Sequence, residues 1–233
     1  MDSSVTLFDQ IGNRKSLRLE ADATGIISDR KYNLVMCSVL AWGFLANALM
    51  VTYLAGPIQS LVLGMRPLAL IIGYFVLAFG GIMLSVKSDN PMVSFLGFNM
   101  LVLPMGVMLC IIVPTVPVDI LNKALILTGI VTSTMIVLGV TFPTFFLGLG
   151  RTIFIALIVG ILGEIVASFL LGYRGSAFDW LFVMVFSGYI GWDIAKSQQY
   201  PKTVDNAVDC ALDIYLDIIN LFIRILSILS RRN

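Results

Sequence analysis

The sequence contains no histidine among its 233 residues. That absence excludes histidine zinc sites, Ser-His and Cys-His nucleophile pairs, and the side chain whose charge most often changes near neutral pH. Charged residues are also scarce, at 12%, against about 25% in a typical soluble domain. Any proton sensing must therefore depend on carboxylates.

The three cysteines do not indicate a catalytic or metal-binding site. Cys37, Cys110 and Cys210 lie in apolar sequence without CxxC spacing, so we expect all three to be buried as small apolar side chains. Without histidine, a metal-cluster motif or room for a large soluble domain, we expect no enzyme and no cofactor. The net charge of +1 indicates no surface for nucleic acid.

Apolar sequence is what the chain has in abundance. Hydrophobic residues make up 58% of it and the mean hydropathy is +0.96, which predicts an all-α, polytopic membrane protein. Glycine, proline and polar turns divide the chain into seven transmembrane helices. We expect a polar cytosolic tail, 1–29, and a single transmembrane domain, 30–233. The predicted spans are 32–55, 68–86, 92–113, 121–141, 151–171, 177–195 and a last helix that begins near 205 and ends at Arg231-Arg232-Asn233.

The placement of lysine and arginine predicts the orientation. With the N-terminus in the cytosol and the C-terminus outside, most basic residues fall in cytosolic segments. The first 30 residues contain no apolar core of a secretory signal. We expect an integral protein of a bacterial inner membrane, with an organelle membrane as the open alternative. The cytosolic basic residues are Arg14, Lys15, Arg18, Arg30, Lys31, Lys87, Arg151, Lys196 and Lys202.

The last segment places carboxylates at every fourth position, on about a third of its helical circumference. An amide and a guanidinium extend the row, whose members are Asp205, Asp209, Asp213, Asp217, Asn220 and Arg224. We expect the first two to be solvent-exposed at a helix N-terminus, where carboxylates are favourable, with Thr203 as the N-cap. The later members follow at least one turn of apolar sequence, so they should lie in the membrane.

Asp217 needs a partner, because ionisable groups inside a span are costly and mostly functional. The candidates are Arg224 on the same face, a second carboxyl that shares a proton, or a hard cation such as Ca²⁺. Asp193, on the preceding antiparallel span, is the natural second carboxyl if the membrane part of the last helix begins near Ala211. A shared proton would join the two helices and ionisation would separate them, as in a pH-sensitive latch. A purely structural Asp–Arg lock is the alternative.

Trp192-Asp193 and the block from Leu212 to Phe222, Leu-Asp-Ile-Tyr-Leu-Asp-Ile-Ile-Asn-Leu-Phe, resemble the last two helices of the Bax inhibitor-1 family. The resemblance implies a bundle in which six helices surround the seventh. It also implies a pH-sensitive Ca²⁺ leak whose latch is an Asp pair, here Asp193 and Asp217, which are also the candidate calcium ligands.

A further stretch supports the resemblance, and one acidic residue departs from it. The stretch from Phe142 to Arg151 is similar to a loop variant of bacterial members. Asp213 stands where relatives usually have a small or hydroxyl residue, so this face is more acidic than the family implies. We assign Asp213, Asn220, Arg224 and the mid-span Glu164 to an accessory ion pathway.

Three functions remain open at this stage. The first is a passive, pH-sensitive calcium leak gated by the Asp pair, in contact with lipid and calcium ions. The second is a non-conducting protein that binds other membrane proteins and modulates quality control, stress response or cell death. The third is a proton-coupled transporter with Glu164 and the carboxylate row as a relay. The sequence leaves the oligomeric state open.

Overall fold

The computed structural model describes residues 25–170, 172 and 176–231, with the side chain of Val86 left out. Most of the predicted N-terminal tail, 1–29, and the last two residues lie outside that range. The described residues form seven long helices and no strand, which confirms the all-α prediction. The helices are α1 Asp29–Leu63, α2 Pro67–Val86, α3 Pro91–Ile112, α4 Val118–Thr141, α5 Pro143–Leu170, α6 Ala177–Ser197 and α7 Val204–Ser230.

Six of these helices, α1 to α6, are long and apolar enough to cross a membrane. Their outer faces carry large exposed apolar side chains such as Phe79, Phe154 and Phe169, as lipid contact requires. The polytopic membrane prediction is confirmed. Cys110 and Cys210 are buried as predicted, whereas the prediction for Cys37 is wrong, since it is exposed on an outer face of α1.

The seventh helix lies at the centre of the bundle. It packs along α1, α3, α4 and α6, and its side chains also reach α2, through Asp209 and Ser85, and α5, through Arg224 and Glu164. Apolar and polar faces of α7 are both buried. The prediction of a central C-terminal helix is therefore confirmed.

Two predicted boundaries are wrong, and both involve proline. The first helix does not end at Ala55 but continues to Leu63 through a π-helical turn, Met50–Leu54. Pro57 has no N–H for the helical hydrogen bond and its ring crowds the preceding turn, and a widened turn accommodates it. The fifth helix begins at Pro143 rather than Arg151, because proline suits the first position of a helix.

Gly81 of α2 and Gly97 of α3 let these two helices cross at backbone contact. A Cβ added to either glycine would lie 2.5 Å from the carbonyl oxygen of the other. The crossing brings Ser85 and Ser94 together, since the Ser94 hydroxyl donates to the carbonyl oxygen of Ser85 at 3.3 Å. The two helices thereby close over the beginning of α7.

Candidate functional site

Asp193 of α6 and Asp217 of α7 meet in the interior of the bundle. Their carboxyl groups are in hydrogen-bonding contact, and the two residues are only 6% and 8% exposed. Oδ2 of Asp217 is buried, and no donor group of the described residues reaches it. Two carboxyl groups can form such a contact only when one of them holds a proton.

Contacts at the start of α7 set the offset between α6 and α7 that brings Asp193 to Asp217. Thr203 is the N-cap, as predicted, and its Oγ1 accepts a hydrogen bond from the Asn206 N–H at 3.1 Å. The Tyr32 hydroxyl contacts both the Ser197 carbonyl oxygen, at 3.2 Å, and Cys210 Sγ, at 3.3 Å. The last residue of α6 is therefore level with the second turn of α7. This offset places Asp193 beside the later carboxylates of the row instead of the first.

The loop that joins α6 and α7 is fixed to the beginning of α1. The Ile27 N–H donates to the Lys202 carbonyl oxygen at 2.7 Å. The Lys202 ammonium donates to the carbonyl oxygens of Ser197 and Gln198, both at 3.0 Å, and lies over the Tyr32 ring. Partial burial lowers the pKa of this ammonium group. These contacts hold the ends of α6 and α7 in place, which keeps Asp193 opposite Asp217.

Lys196 is a cation of the site that sequence reasoning assigned to a cytosolic loop. Its Nζ lies 3.0 Å from Asp193 Oδ1 and 3.7 Å from Asp213 Oδ2, and 4.1 Å from the centre of the Trp192 ring. The spacing of three residues from Asp193 was the available signal, because such pairs are neighbours on a helix. The site thus joins three carboxyls and one ammonium.

Arg224 belongs to a second cluster, at the other end of α7. It binds both oxygens of Glu164, with Nη1–Oε1 at 2.8 Å and Nη2–Oε2 at 2.9 Å, and Nη1 lies 3.0 Å from Asp179 Oδ1. The guanidinium also covers the ring of Phe182, at 4.2 Å. The structure therefore brings Arg224 to these two carboxylates instead of to Asp217.

Asp179 is a member of that cluster that sequence reasoning missed. It is 2% exposed, and its Oδ2 accepts from Ser227 Oγ at 3.1 Å and lies 3.5 Å from Arg231 Nη1. An aspartate in the first turn of a helix usually indicates a capping role, so no sequence signal predicts this burial. Asn220 joins neither cluster through its amide, which donates to the Leu216 carbonyl oxygen of its own helix at 2.8 Å.

The prediction that Asp205 and Asp209 are solvent-exposed is wrong. Asp209 is 2% exposed and accepts a hydrogen bond from the Ser85 hydroxyl. Asp205 is partly buried and accepts from Ser94 Oγ at 2.6 Å. The close crossing of α2 and α3 covers both carboxylates, an effect of tertiary packing that the sequence of α7 does not contain.

A calcium ion at the Asp pair would find few protein ligands. Ca²⁺ takes about six to eight oxygen ligands, whereas Asp193 and Asp217 contribute two carboxyl groups. Among the described residues, no group of three or more aspartate, glutamate, cysteine or histidine side chains is placed to hold a metal ion. Water and backbone carbonyls would have to supply the rest of the coordination shell.

The comparison with protein families is consistent with this arrangement. The family model described as "Inhibitor of apoptosis-promoting Bax1" matches residues 27–233. No curated protein and no solved structure matches the chain. Because the family match covers every helix of the bundle, the chain belongs to the Bax inhibitor-1 family.

Proposed function

We propose that the protein is a passive, pH-sensitive cation leak with calcium as a permeant ion, gated by Asp193 and Asp217. The observation that carries the proposal is the contact between these two buried carboxyls on adjacent helices. Membership of the Bax inhibitor-1 family supports a membrane protein of that type. Gating by this pair rests on the geometry and on the resemblance of the two helices.

The gating step follows from the charge of the pair. A proton shared between Asp193 and Asp217 joins α6 to α7 and keeps the bundle closed. When the proton leaves, two negative charges about 4 Å apart repel each other by about 4 kcal/mol at an effective dielectric constant near 20. That energy is comparable to a conformational preference of a few kcal/mol, so ionisation favours separation of the helices.

A passing cation would be attracted to the ionised pair. Calcium prefers carboxylate and carbonyl oxygens and binds weakly where few protein ligands are available, which suits permeation better than storage. Asp213 adds a third carboxyl one turn from Asp217. Lys196 lies against Asp193 and Asp213, so its ammonium competes with the ion for the same oxygens.

The orientation that we propose places the N-terminus in the cytosol of a bacterial cell whose inner membrane holds the bundle. This orientation is supported by a group of basic residues at one end of the bundle. Arg30 and Lys31, at the beginning of α1, lie at the same end as the α6–α7 loop, because Ile27 is hydrogen-bonded to Lys202 of that loop. Basic residues concentrate on the cytosolic side of membrane proteins. Protons that reach the Asp pair from this end would come from the cytosol.

The test is calcium flux into proteoliposomes that contain the purified full chain, measured between about pH 5 and pH 8, the range over which perturbed carboxyls titrate. The wild type should conduct more at the higher pH. Asp217→Asn should conduct little at every pH, since the amide can donate permanently to Asp193. Asp217→Ala should conduct at every pH, since it cannot bridge the helices.

The matched control is Asp119→Asn, at an exposed position paired with Lys123, which should keep the wild-type profile. Flux that keeps its pH response in Asp193→Asn and in both Asp217 variants would show that the pair is not the gate. A wild type that conducts no cations at any pH would contradict the leak itself and favour the non-conducting interaction protein.

A further inference from the structure

The antiparallel helices α6 and α7 meet along one face of each, which we call the α6–α7 seam, and the Asp pair is one step of it. On both helices the seam residues recur at alternating spacings of three and four, as residues on one helix face do. On α6 they are Asp179, Phe182, Phe186, Tyr189, Asp193 and Lys196. On α7 they are Asp213, Asp217, Asn220, Arg224 and Ser227.

Contacts on two sides fix the register of the middle of the seam. Toward the α6–α7 loop, Asp193 is in hydrogen-bonding contact with Asp217. Toward the other end of the bundle, the guanidinium of Arg224 covers the ring of Phe182 at 4.2 Å. Because the helices are antiparallel, a step backward along α6 is matched by a step forward along α7.

Tyr189 and Asn220 lie at the same level of the seam, directly after the Asp pair. Tyr189 precedes Asp193 by four residues, and Asn220 follows Asp217 by three. Each of them therefore lies about one helical turn from the pair, on its side away from the α6–α7 loop.

The hydroxyl of Tyr189 is close to the pair and has no hydrogen bond. Among the side chains whose charge acts on it, Asp217 acts most strongly, followed by Asp193 and Lys196. None of the described residues forms a hydrogen bond with this hydroxyl. Tyr189 is partly buried, but its oxygen is not among the fully buried polar atoms without a partner in the described part of the chain. The oxygen is therefore accessible to a ligand.

Asn220 contributes a second accessible oxygen at this level. Its Nδ2 donates to the carbonyl oxygen of Leu216 at 2.8 Å, which fixes the amide and leaves Oδ1 as an acceptor. Its side chain is only partly buried although α7 is the central helix. This partial exposure indicates that the packing of the bundle leaves space beside the seam here.

Trp192 supports the ring of Tyr189. The two rings meet edge to face, with centroids 5.9 Å apart. Trp192 itself packs closely on α5, since a Cβ added to Gly150 would lie 2.6 Å from Trp192 Nε1, and the ammonium of Lys196 lies 4.1 Å from the centre of its ring. The phenol of Tyr189 thus rests on a neighbour that is itself fixed, which keeps its hydroxyl near the Asp pair.

The two sides of the Asp pair differ in what they present to a cation. Toward the loop, the ammonium of Lys196 already lies against the carboxyl oxygens of Asp193 and Asp213. On the other side, Tyr189 and Asn220 present neutral oxygens and no positive charge. A cation attracted to the ionised pair is therefore more favourably held on the side of Tyr189 and Asn220.

We propose that Tyr189 Oη and Asn220 Oδ1 form, together with the carboxyls of Asp193 and Asp217, a binding site for a hard divalent cation on the side of the pair away from the α6–α7 loop. Hard cations take amide carbonyl oxygens as well as carboxylates, and a hydroxyl oxygen has lone pairs to share. The two neutral oxygens add ligands without adding charge, which suits an ion that must leave again. The site rests on the proposed function, because its other ligands are the carboxyls of the gate.

The test is binding of terbium(III), a hard cation whose emission is sensitised by nearby aromatic rings, to the full-length protein in phosphatidylcholine nanodiscs. Trp192, beside Tyr189, remains as the sensitiser in every variant. The wild type should show sensitised emission that saturates with terbium and that calcium displaces. Emission that does not saturate, or that calcium does not displace, would overturn the site.

Asn220 is tested in both directions. Asn220→Leu removes the amide oxygen at similar size and should raise the terbium concentration at half-saturation by about fivefold, the effect of one lost polar contact. Asn220→Asp adds a negative charge and should lower that concentration. Asn99→Leu is the control, because the Asn99 amide also donates to the carbonyl oxygen four residues earlier, at 2.7 Å, but lies on α3 outside the seam. Wild-type half-saturation in both Asn220 variants would overturn the site.

Tyr189→Phe removes only a hydroxyl that bonds none of the described residues, so the fold should keep its stability. The variant should raise the terbium concentration at half-saturation by about fivefold. Half-saturation is the quantity compared, since loss of the phenol also dims the emission. Tyr74→Phe, on α2, where the hydroxyl contacts Met105 Sδ at 3.4 Å, should bind terbium as the wild type does. An unchanged half-saturation in Tyr189→Phe would overturn the role of Tyr189.

Binding and flux together separate this inference from the proposed leak. Calcium flux with its pH response, combined with terbium binding that is indifferent to Tyr189 and Asn220, would contradict the site and leave the leak in place. Terbium binding that depends on both residues, in a protein that conducts no cations, would contradict the leak and support the site.

Discussion

The ammonium group of Lys196 lies 3.0 Å from Oδ1 of Asp193, one turn earlier on the same helix. Asp213 Oδ2 lies 3.7 Å from it on the other side. The side chain of Lys196 is 22% exposed, so the pair is partly shielded from water and its interaction is stronger than that of a surface pair. Lys196 is thus a tethered cation next to the proposed gate.

Replacing Lys196 by methionine should shift the pH profile of calcium flux. The ammonium stabilises ionised Asp193, so without it the carboxyls should keep their shared proton at higher pH. The bundle should then stay closed over a wider range, and the midpoint of flux should move to higher pH. The measurement is flux in proteoliposomes across pH, with Lys123→Met, at an exposed pair, as the control. A midpoint that stays in place or moves to lower pH contradicts this role.

Replacing Arg224 by glutamine should destabilise the fold. The change leaves Asp179, which is 2% exposed, and Glu164 without the guanidinium that binds both. Removing one partner of a buried ion pair costs about 3–5 kcal/mol. At about 2–4 °C per kcal/mol, this should lower the thermal unfolding temperature in detergent by roughly 6–20 °C.

A double variant separates this ionic contact from simple loss of packing. Glu164→Gln together with Arg224→Gln removes one of the two stranded carboxylates, so it should be more stable than Arg224→Gln alone. Arg224→Lys keeps the charge but cannot bind both oxygens of Glu164, and should lose less than the glutamine variant. An Arg224→Gln protein as stable as the wild type would mean that the cluster contributes nothing to the fold.

Gly97→Ala should separate α2 from α3. The added Cβ would meet the carbonyl oxygen of Gly81 at 2.5 Å, a backbone atom that cannot move aside without shifting a helix. Overpacking of this kind costs about 1–3 kcal/mol. Thermal unfolding measures the loss, and Gly73→Ala, where a Cβ meets nothing within 4 Å, should be neutral or slightly stabilising, since alanine favours helices. Equal stability of the two variants contradicts close crossing at Gly97.

The helices could be predicted from the sequence, because long apolar segments carry that information locally. The pairing of Asp193 with Asp217 is expected from the family resemblance and on the condition that the membrane part of α7 begins near Ala211, since the spacing of carboxylates along α7 does not by itself select Asp217. The burial of Asp209 could not be predicted from the sequence, since it depends on the crossing of α2 and α3 at Gly81 and Gly97. The continuation of α1 past Pro57 depends on a π-helical turn, and proline ordinarily indicates a helix end.

The clusters show the same division between local and tertiary information. Glu164 stands out in the sequence as a mid-span charge. Its partner Arg224, however, shares one face of α7 with Asp217, so the sequence makes Asp217 a candidate partner of Arg224. Only the packing of α5 and α6 around that face of α7 places Arg224 beside Glu164 and the buried Asp179. A cleft between α1 and α4 likewise has no signature in sequence, because its lining comes from four separate helices, α1, α3, α4 and α7.

The most direct test of the account is infrared spectroscopy of the full chain in lipid, which detects the stretching band of a protonated carboxyl as the pH is raised from about 5 to about 8. The wild type should show a protonated-carboxyl band that disappears over the same pH range in which calcium flux rises, and Asp217→Asn should lack it. A band that is identical in Asp217→Asn and the wild type, or that persists while flux rises, would contradict a proton shared by Asp193 and Asp217 as the gate.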